Sequence, residues 1–519
     1  MPEKTLDLLQ THESIAAQSS TGLSRRDFCR TSALGAVAGV LSGIGVSESA
    51  HAEVPKNNRT LLKGGTVVSM DPKIGDFVQG DVLIDGSRIA AVGRNLPAGD
   101  ATVISATNMI VCPGFIDTHR HLWAGQLRNS SPHGTEYLNY RDKCGPVYRP
   151  EDAYIGDMLS ILSALDAGIT TILDWSHIQN TPEHTDAVIR ALQNGGIRAV
   201  FGYGWPMPGS VPWWENKETR FPYDIRRIRK QYFSSEDQLL TLALGATSIN
   251  SAAGWYQTNT DKVRQEWDVA REVSARITVH TSGRGDILAF SKQIKMGPDT
   301  TYVHCRHLSD DEFKLIADSG GTVSLCCSLD TLQGRAIPPI QQSLDHGIRP
   351  SLSVDEEMDA PNDMFTQMRL ALSLQRGFLG DHEAKPEATF QKLVQVDQDS
   401  APPDKFISAR DALDFVTVQG ARANGLLNKT GSLTPGKEAD IVLLRKDRIN
   451  VMPINDPVGA IVLAMDTGNV DSVFVGGIAR KRNGQLVGVD LKRVADEAIK
   501  SREYLLSKAN IVDPMAVKN

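Results

Sequence analysis

Two histidines separated by a single residue follow an apolar run in the stretch "GFIDTHRHLW". They are His119 and His121. If "MIVCPGFIDTHRH" enters a sheet as a strand, the two side chains point to the same side, because successive strand side chains alternate. Imidazole is a common metal ligand, and buried polar side chains are costly without a partner. The pair therefore suggests a metal site, although "HRH" taken alone is more often an ordinary polar pair.

Three further polar residues end apolar, β-rich runs later in the chain. His280 ends "ARITVH", His304 ends "TTYVH" and Asp355 ends "PSLSVD". Barrel enzymes place their catalytic groups at such carboxyl ends of strands. Imidazoles together with a carboxylate suit a borderline divalent ion, most simply Zn²⁺ with Fe or Mn as alternatives, and water completes the coordination shell. The five residues together predict one metal centre.

Apolar runs that alternate with helix-length segments predict the elements that carry these residues. Eight such runs between Pro113 and about Ala423 indicate a parallel sheet wrapped by helices, which is typical of a TIM-type barrel. Turn-rich alternating strands lie on both sides of this region. The predicted fold is α/β, a (β/α)8 TIM-type barrel with a small discontinuous β-sandwich domain built from N- and C-terminal segments. The predicted boundaries are a signal peptide at 1–52, the N-terminal part of the β domain at 58–112, the barrel at 113–425, the C-terminal part at 430–488, and a C-terminal helix and tail at 489–519, with an amphipathic helix from Leu491 to Lys508.

The bulk composition points to a globular protein with a small-molecule partner. The 519 residues are 41% hydrophobic and 23% charged, with a net charge of −7. No block of Lys and Arg is present, which argues against a nucleic-acid partner. No segment after residue 52 is apolar for the roughly 18 residues that a membrane span needs. A small-molecule substrate is expected, and the sequence is compatible with a homo-oligomer.

The N-terminal segment is typical of an export signal. Paired arginines in "SRRDFCR" (Ser24 to Arg30) precede an Ala/Gly-rich apolar stretch and the small-residue cleavage site "AHA" that ends at Ala52. We expect a twin-arginine signal peptide and a periplasmic or secreted protein. The alternative is a basic helix start in a cytosolic protein. Removal of Cys29 with the signal would leave five cysteines, an odd number that indicates buried apolar residues rather than disulfides.

The sequence resembles the amidohydrolase superfamily, in the branch that holds cytosine deaminase, guanine deaminase, adenosylhomocysteine-type deaminases and triazine hydrolases. The resemblance rests on "PGFIDTHRH", the later histidines and aspartate, and "GSLTPGKEADIVLL". It implies that His119, His121, His280 and Asp355 are the metal ligands and that Asp355 is also the general base. It further implies that His304 contacts the attacking water or the substrate, with His307 as the competing candidate. The fourth run, "LLTLALGATSI", has no Lys or Glu, so one metal ion is implied.

Two departures from the deaminases of this branch concern positions that would contact the substrate. Those deaminases carry His-x-x-Glu on strand five, whereas this chain reads "HTSG" with Gly283 in place of the glutamate. The seventh run reads "SLCCSLD", where deaminases tend to have "SHCPxSN". Asp286, Glu356 and Glu357 are alternative sources of a carboxylate, although an acidic pair in a loop is more often solvated.

Aromatic and polar residues that follow the first three barrel strands are the candidate substrate contacts, because flat rings with a few directional polar groups suit a planar ligand. "PWW" at 212–214 belongs to the same group. Arg128 either pairs with a substrate carboxylate or forms a surface salt bridge, and each tryptophan either binds substrate or packs. The candidates are Trp123, Gln126, Arg128, Trp175, His177 and Trp205.

These features predict an exported, mononuclear metal-dependent hydrolase. It would cleave an amide-like or amidine-like C–N bond, other than a peptide bond, in a small cyclic or aromatic compound by attack of metal-bound hydroxide. Deamination of an aminated heterocycle is the main variant, and dehalogenation is a minor one. The alternative from another class is a non-catalytic barrel that binds a ligand.

Overall fold

Residues 59–134, 136–207, 220–249, 260–383, 405–513 and 515 are described by the computed structural model of the chain. They form two hydrogen-bonded sheets, one of nine strands and one of eight. The predicted signal peptide and the "PWW" segment lie outside the described residues.

Five short strands begin the described chain and form the first part of the nine-stranded sheet. Strand β1 pairs antiparallel with β2 and parallel with β4 and β5. Apolar residues of these strands, such as Leu62, Val82 and Val111, are buried in a shared core. The strands are β1 (Arg59–Val67), β2 (Phe77–Asp85), β3 (Arg88–Gly93), β4 (Thr102–Ser105) and β5 (Met109–Pro113).

Eight parallel strands follow and form the barrel, paired in chain order from first to last. Almost every residue of these strands is buried, as expected where helices cover a parallel sheet. This confirms the predicted (β/α)8 arrangement. The strands are β6 (Phe115–Arg120), β7 (Ile169–Ser176), β8 (Arg198–Tyr203), β9 (Leu240–Ile249), β10 (Arg276–Ser282), β11 (Thr300–Arg306), β12 (Thr322–Leu325) and β13 (Ser351–Leu352).

Helices alternate with the barrel strands, and several carry clear start and stop signals. In the helix Pro150–Asp166, Pro150 occupies the first turn. The Asp152 carboxylate accepts from the Arg149 backbone N–H, which caps the start of this helix. The helix Pro182–Gly195 ends at Gly196, which has a φ of 67°. The α-helices are α1 (Tyr137–Cys144), α2 (Pro150–Asp166), α3 (Pro182–Gly195), α4 (Ile225–Tyr232), α5 (Thr260–Glu272), α6 (Asp286–Ser291), α7 (Asp310–Asp318), α8 (Cys327–Leu332), α9 (Ile340–Asp345), α10 (Met364–Glu383), α11 (Ala409–Phe415) and α12 (Val418–Ala423), and the 3₁₀ helices in this region are Leu122–Leu127 and Gly145–Val147.

The barrel closes at the carboxyl ends of its first and last strands. The Asp355 backbone N–H donates to the His119 carbonyl at 2.9 Å, and the His121 N–H donates to the Asp355 carbonyl at 2.7 Å. A parallel bridge between Arg120 and Asp355 marks the same contact. β13 has only two residues, so this backbone contact lies just beyond the end of the strand.

The C-terminal segment returns to the first sheet, as predicted. Strand β14 (Ile441–Arg445) pairs antiparallel with β5, and the remaining strands extend the sheet from there. A final helix covers residues 491–508, the bounds expected from the sequence, and the Asp490 carboxylate caps it by accepting from the Arg493 N–H. These elements are β15 (Val470–Val475), β16 (Ile478–Arg482), β17 (Gln485–Leu486), α13 (Pro457–Gly459) and α14 (Leu491–Lys508), with a π-helix at Ala460–Ala464 and a 3₁₀ turn at Thr467–Asn469.

Two simpler expectations also agree with the described residues. The five cysteines found there are free and buried, as the sequence suggested: Cys112, Cys144, Cys305, Cys326 and Cys327. None of the helices in the described ranges combines the length and apolar character required to cross a membrane.

Candidate metal centre and active site

The five predicted chemical residues meet at the carboxyl end of the barrel. His119 lies on β6 and His121 directly follows it. His280 lies near the end of β10, His304 near the end of β11, and Asp355 follows β13. Their ligand atoms form overlapping groups in which all members lie within 4.8 Å of one another. Strands far apart in the chain therefore bring these side chains to one point.

The separations among the predicted ligand atoms fit a zinc coordination sphere. The Nε2 atoms of His119 and His280 are 3.1 Å apart, and Asp355 Oδ1 lies 3.5 Å from His119 Nε2. Asp355 Oδ1 also lies 3.3 Å from His121 Nε2. Two ligands at about 2.0–2.1 Å from a tetrahedral Zn²⁺ stand about 3.3 Å apart. Two sets of three are each compact enough to hold a metal ion, and they share His119: one adds His121 and Asp355, the other His280 and His304.

Neighbouring groups set the tautomer of one imidazole. His121 Nδ1–H donates to the Trp175 carbonyl at 2.7 Å, which leaves Nε2 with a lone pair toward Asp355. A hydrogen bond from the ring nitrogen that does not bind the metal fixes the orientation of a metal-binding histidine. His119 Nδ1 and His280 Nδ1 are buried without a hydrogen-bond partner among the described residues.

Burial favours the neutral, metal-binding form of two of these histidines. It lowers the pKa of His119 to about 4, against the opposing effect of the Asp355 carboxylate. Burial also lowers the pKa of His280 far below its usual value, and the adjacent histidines add to that effect. Burial alone would raise the pKa of Asp355, but its contacts with His119, His121 and His304 hold that pKa well below the usual range. The site therefore combines the neutral imidazoles of His119 and His280 with an ionised carboxylate.

His304 and Asp355 both adopt a left-handed backbone conformation, with φ of 68° and 75°. Residues other than glycine rarely adopt it, and the cost is about 1–3 kcal/mol where the surroundings impose it. His304 Nε2 lies 3.4 Å from Asp355 Oδ2, and its Nδ1 lies 3.3 Å from Asp330 Oδ1. Cys305 and His307 share this conformation, with φ of 55° and 60°, so the strain extends over the end of β11 as well as Asp355. His307, the competing candidate, is exposed, and its Nε2 contacts the Arg335 carbonyl instead.

A cavity of about 360 Å³ opens above these residues. Its volume lies within the range of small-molecule pockets. Its walls combine aromatic rings, arginines, serines and two acidic groups. The lining residues are His121, Tyr137, Leu138, Arg141, His177, Trp205, Ser248, His280, Ser282, His304, Arg306, Leu329, Arg335, Asp355 and Glu356.

Of the six predicted substrate contacts, only His177 and Trp205 line this cavity. Trp123 lies behind His177 and donates its indole N–H to His177 Nδ1 at 3.3 Å. Trp175 is fully buried, packs against the His280 ring and donates to the Thr278 carbonyl. Both tryptophans therefore support cavity residues from outside the cavity.

Gln126 and Arg128 also lie outside the cavity lining, which corrects their expected position. The Gln126 amide donates to the Asp152 carbonyl and to Ser501 of α14. Arg128 forms a salt bridge with Glu357, so the salt-bridge alternative holds. Both residues lie in or just after the 3₁₀ helix Leu122–Leu127, which takes their side chains toward other helices and the Asp355–Glu357 loop.

Glu356 and Glu357 are buried, which overturns the expectation of a solvated pair. Glu357 accepts from Arg120 and pairs with Arg128. Arg120, fully buried between the two predicted ligands of β6, also lies 3.4 Å from Asp117. This network ties the loop that carries Asp355 to β6. Sequence analysis missed it, and its one signal was an arginine between two inward-facing histidines.

Gly283 directly follows Ser282, which lines the cavity, so no carboxylate enters from the end of β10. The acidic residues in the cavity lining are Asp355 and Glu356. Burial, reinforced by the Asp359 and Asp355 carboxylates, raises the pKa of Glu356 well above its usual value.

Comparison with known proteins agrees with this geometry. Residues 110–480, more than two thirds of the chain, match the amidohydrolase family. The chain belongs to the amidohydrolase family. Among its relatives is a 5'-deoxyadenosine deaminase of Methanothermobacter thermautotrophicus, 27% identical over 460 residues that cover 85% of this chain and 97% of the relative. A 5-methylthioadenosine/S-adenosylhomocysteine deaminase of Pyrococcus abyssi is 24% identical, covering 84% of this chain and 97% of its own.

Solved structures of two other proteins share the fold of this amidohydrolase. An adenosine deaminase from Xanthomonas campestris with bound zinc superposes with a TM-score of 0.73 at 18% identity, covering 86% of this chain and 98% of its own. A mutant atrazine chlorohydrolase from Arthrobacter aurescens, complexed with zinc and atraton, has a TM-score of 0.71 at 22% identity, covering 85% and 100%. Structural neighbours of this chain thus hold zinc, and the chain itself has a His/Asp group able to hold a metal ion.

Proposed function

We propose that the protein is a hydrolase with one divalent metal ion that cleaves a C–N bond in a small nitrogen-containing ring compound. The observation that carries the proposal is the convergence of His119, His121, His280 and Asp355, with donor separations of 3.1–3.5 Å, beside a cavity of small-molecule size. A bound divalent ion supplies Lewis acidity, which lowers the pKa of a water molecule from about 15.7 towards 7.

Asp355 carries the proton in this proposal. Its Oδ1 faces the histidines His119 and His121, whereas Oδ2 faces His304 at 3.4 Å. One oxygen can therefore serve the metal site while the other takes a proton from the attacking water. The same oxygen then returns the proton to the departing nitrogen. A positioned acid–base group of this kind typically contributes 10²–10⁴-fold in rate.

His304 holds the developing negative charge. His304 lines the cavity and its Nε2 lies 3.4 Å from Asp355 Oδ2, so its ring can hydrogen-bond an atom attached to the attacked carbon. Loss of one such donor typically costs about 10²–10³ in kcat. The strained backbone of His304 holds the ring in this position.

Release of ammonia from an aminated ring is the second candidate, and the names of the deaminase relatives favour it. Gly283 weighs against a mechanism that takes a proton from the end of β10, because that position has no side chain. Release of an amine or of a carboxylate from an amide or lactam meets no such objection.

A hydrolysis screen separates these outcomes. Metal-loaded protein is offered amides, lactams, anilides and aminated heterocycles, and ammonia and carboxylate release are scored separately. Turnover of at least one class that is abolished in Asp355→Asn supports the proposal. A metal-loaded, folded protein that binds ring compounds but turns over none of them favours the alternative of a ligand-binding barrel.

We also propose that the protein is exported by the twin-arginine route to the periplasm or medium. The support is the order of paired arginines, apolar stretch and small-residue site in residues 24–52. This route carries folded proteins, so the metal ion would be loaded before export.

A further inference from the structure

Glu356 is a buried carboxyl with no partner in a cavity-lining position. Its side chain is 1% exposed, and neither carboxyl oxygen has a hydrogen-bond partner among the described residues. No arginine, lysine or histidine of those residues forms a salt bridge with it, although Arg335 and Arg141 are near enough to affect it. A buried polar group left without a partner is costly, so most such groups in proteins are satisfied.

The neighbouring residue shows that burial in this loop does not by itself leave a carboxylate without partners. Glu357 is 2% exposed, yet it pairs with both Arg120 and Arg128. The two adjacent glutamates thus differ in surroundings: Glu357 pairs with arginines in the network under β6, and Glu356 lines the cavity. The partner that Glu356 lacks among the described residues is therefore to be sought in what enters the cavity.

We propose that Glu356 hydrogen-bonds an N–H group of the substrate, so that the cavity selects ring compounds with an amino or ring N–H group beside the reactive carbon. This inference rests on the proposed function in that it takes the cavity as the substrate site. Glu356 directly follows Asp355 in the chain, and both line the same cavity as His304. A ligand group held by Glu356 consequently lies beside the atom that is attacked.

The chemistry of the carboxyl defines the ligand class. A carboxyl oxygen accepts an N–H hydrogen bond, and a methyl group of the same size offers none. A ligand without that N–H leaves the buried carboxyl unsatisfied. Sites built to hydrogen-bond one ligand group reject analogues that lack it far more strongly than apolar pockets reject a missing methylene. A preference of about 10- to 100-fold for the N–H ligand is expected.

Two probes of nearly equal size test this preference without requiring turnover. They are 2-aminobenzothiazole and 2-methylbenzothiazole, which differ only in the amino or methyl group. Binding of each to the metal-loaded, full-length protein is measured by calorimetry, with metal content and melting temperature recorded for every variant. Wild type should bind the amino probe at least about tenfold more tightly, and Glu356→Met should lose the preference while retaining affinity for the methyl probe.

Glu272→Met is the matched control, because it makes the same replacement at an exposed glutamate that pairs with Arg226 and is not among the cavity-lining residues. It should keep the wild-type preference. Equal affinity of wild type for both probes, or no measurable binding of either, overturns the inference. So does a preference that survives in a metal-loaded, folded Glu356→Met variant. Failure of the proposed function is a separate result: no turnover in the hydrolysis screen, whatever the probes show.

Discussion

His119 Nε2 lies 3.1 Å from His280 Nε2, although the two residues are 161 positions apart in the chain. Strands β6 and β10 are separated by three other strands in the barrel sheet, so the two rings meet across the barrel interior. His119 is fully buried and His280 half-buried, and two Nε2 atoms this close need either a shared hydrogen or a cation between them. A metal ion supplies that cation.

Removal of either imidazole should release the metal. Loss of a group that only hydrogen-bonds a metal ligand typically costs about 10- to 100-fold in metal affinity. His280→Ala removes a ligand itself and should therefore weaken zinc binding by more than that. Zinc affinity is measured by competition with a chelator, with His307→Ala as the control because that histidine is exposed. Unchanged affinity in His280→Ala would remove this residue from the ligand set.

The buried ion-pair network under the site should contribute strongly to stability. Glu357→Ala leaves buried Arg120 with only its 3.4 Å contact to Asp117, and breaking a buried pair costs about 3–5 kcal/mol. The free energy of unfolding is measured by denaturant titration. Glu272→Ala, which breaks the exposed pair with Arg226, is the control and should cost about 0–1 kcal/mol. Equal effects of the two substitutions would contradict the role of the network.

Two buried carboxyls, Asp157 on α2 and Asp174 on β7, should make stability depend on pH. Neither forms a salt bridge among the described residues, and burial raises the pKa of Asp174 from 3.8 to about 8. The folded state therefore binds more protons than the unfolded state between these values, and the free energy of unfolding falls as the pH rises from about 4 to 8.

Asp174→Asn should reduce this dependence and stabilise the protein at pH 8 by at least about 1.4 kcal/mol, which corresponds to a change of one in pKa. Unfolding measured at pH 5 and pH 8 tests it. Asp318→Asn, on the exposed end of α7, should leave the pH profile unchanged. A variant profile parallel to wild type would show that Asp174 is ionised at neutral pH.

His304 should act on the reaction rather than on binding. Once the hydrolysis screen has identified a substrate, His304→Ala should lower kcat by about 10²–10³ with a small change in KM. Metal content must equal that of wild type for the comparison to hold. A change confined to KM would instead make His304 a residue that only binds substrate.

Replacement of the paired arginines should block export. Arg25→Lys together with Arg26→Lys should retain the protein in the cytoplasm, with an uncleaved N-terminus, whereas wild type should begin at Glu53 after cleavage. Cell fractionation and N-terminal sequencing check both. A wild-type protein found only in the cytoplasm would contradict the proposed export.

Much of the fold and of the metal site could be predicted because both depend on local patterns. Strand and helix periods identified the eight barrel runs and the helix at 491–508. His119, His121 and Asp355 ended such runs. Side chains beyond a strand end were less predictable: Trp123 and Gln126 lie in a 3₁₀ helix, where strand alternation no longer applies.

The acidic pair shows a second limit. Local sequence cannot show that Arg120 lies within reach of Glu357, since their contact joins positions 237 residues apart. The pair was therefore expected to be solvated. Tertiary packing gives the two glutamates opposite environments, one satisfied by arginines and the other facing the cavity.

Zinc titration into metal-stripped protein tests the central claim most directly. Hydrolysis of a substrate from the screen is followed as Zn²⁺ is added. The predicted result is no activity without metal and full recovery at one equivalent per chain, with Asp355→Asn inactive throughout. Activity that persists without metal, or that fails to respond to zinc in a folded protein, would contradict the account.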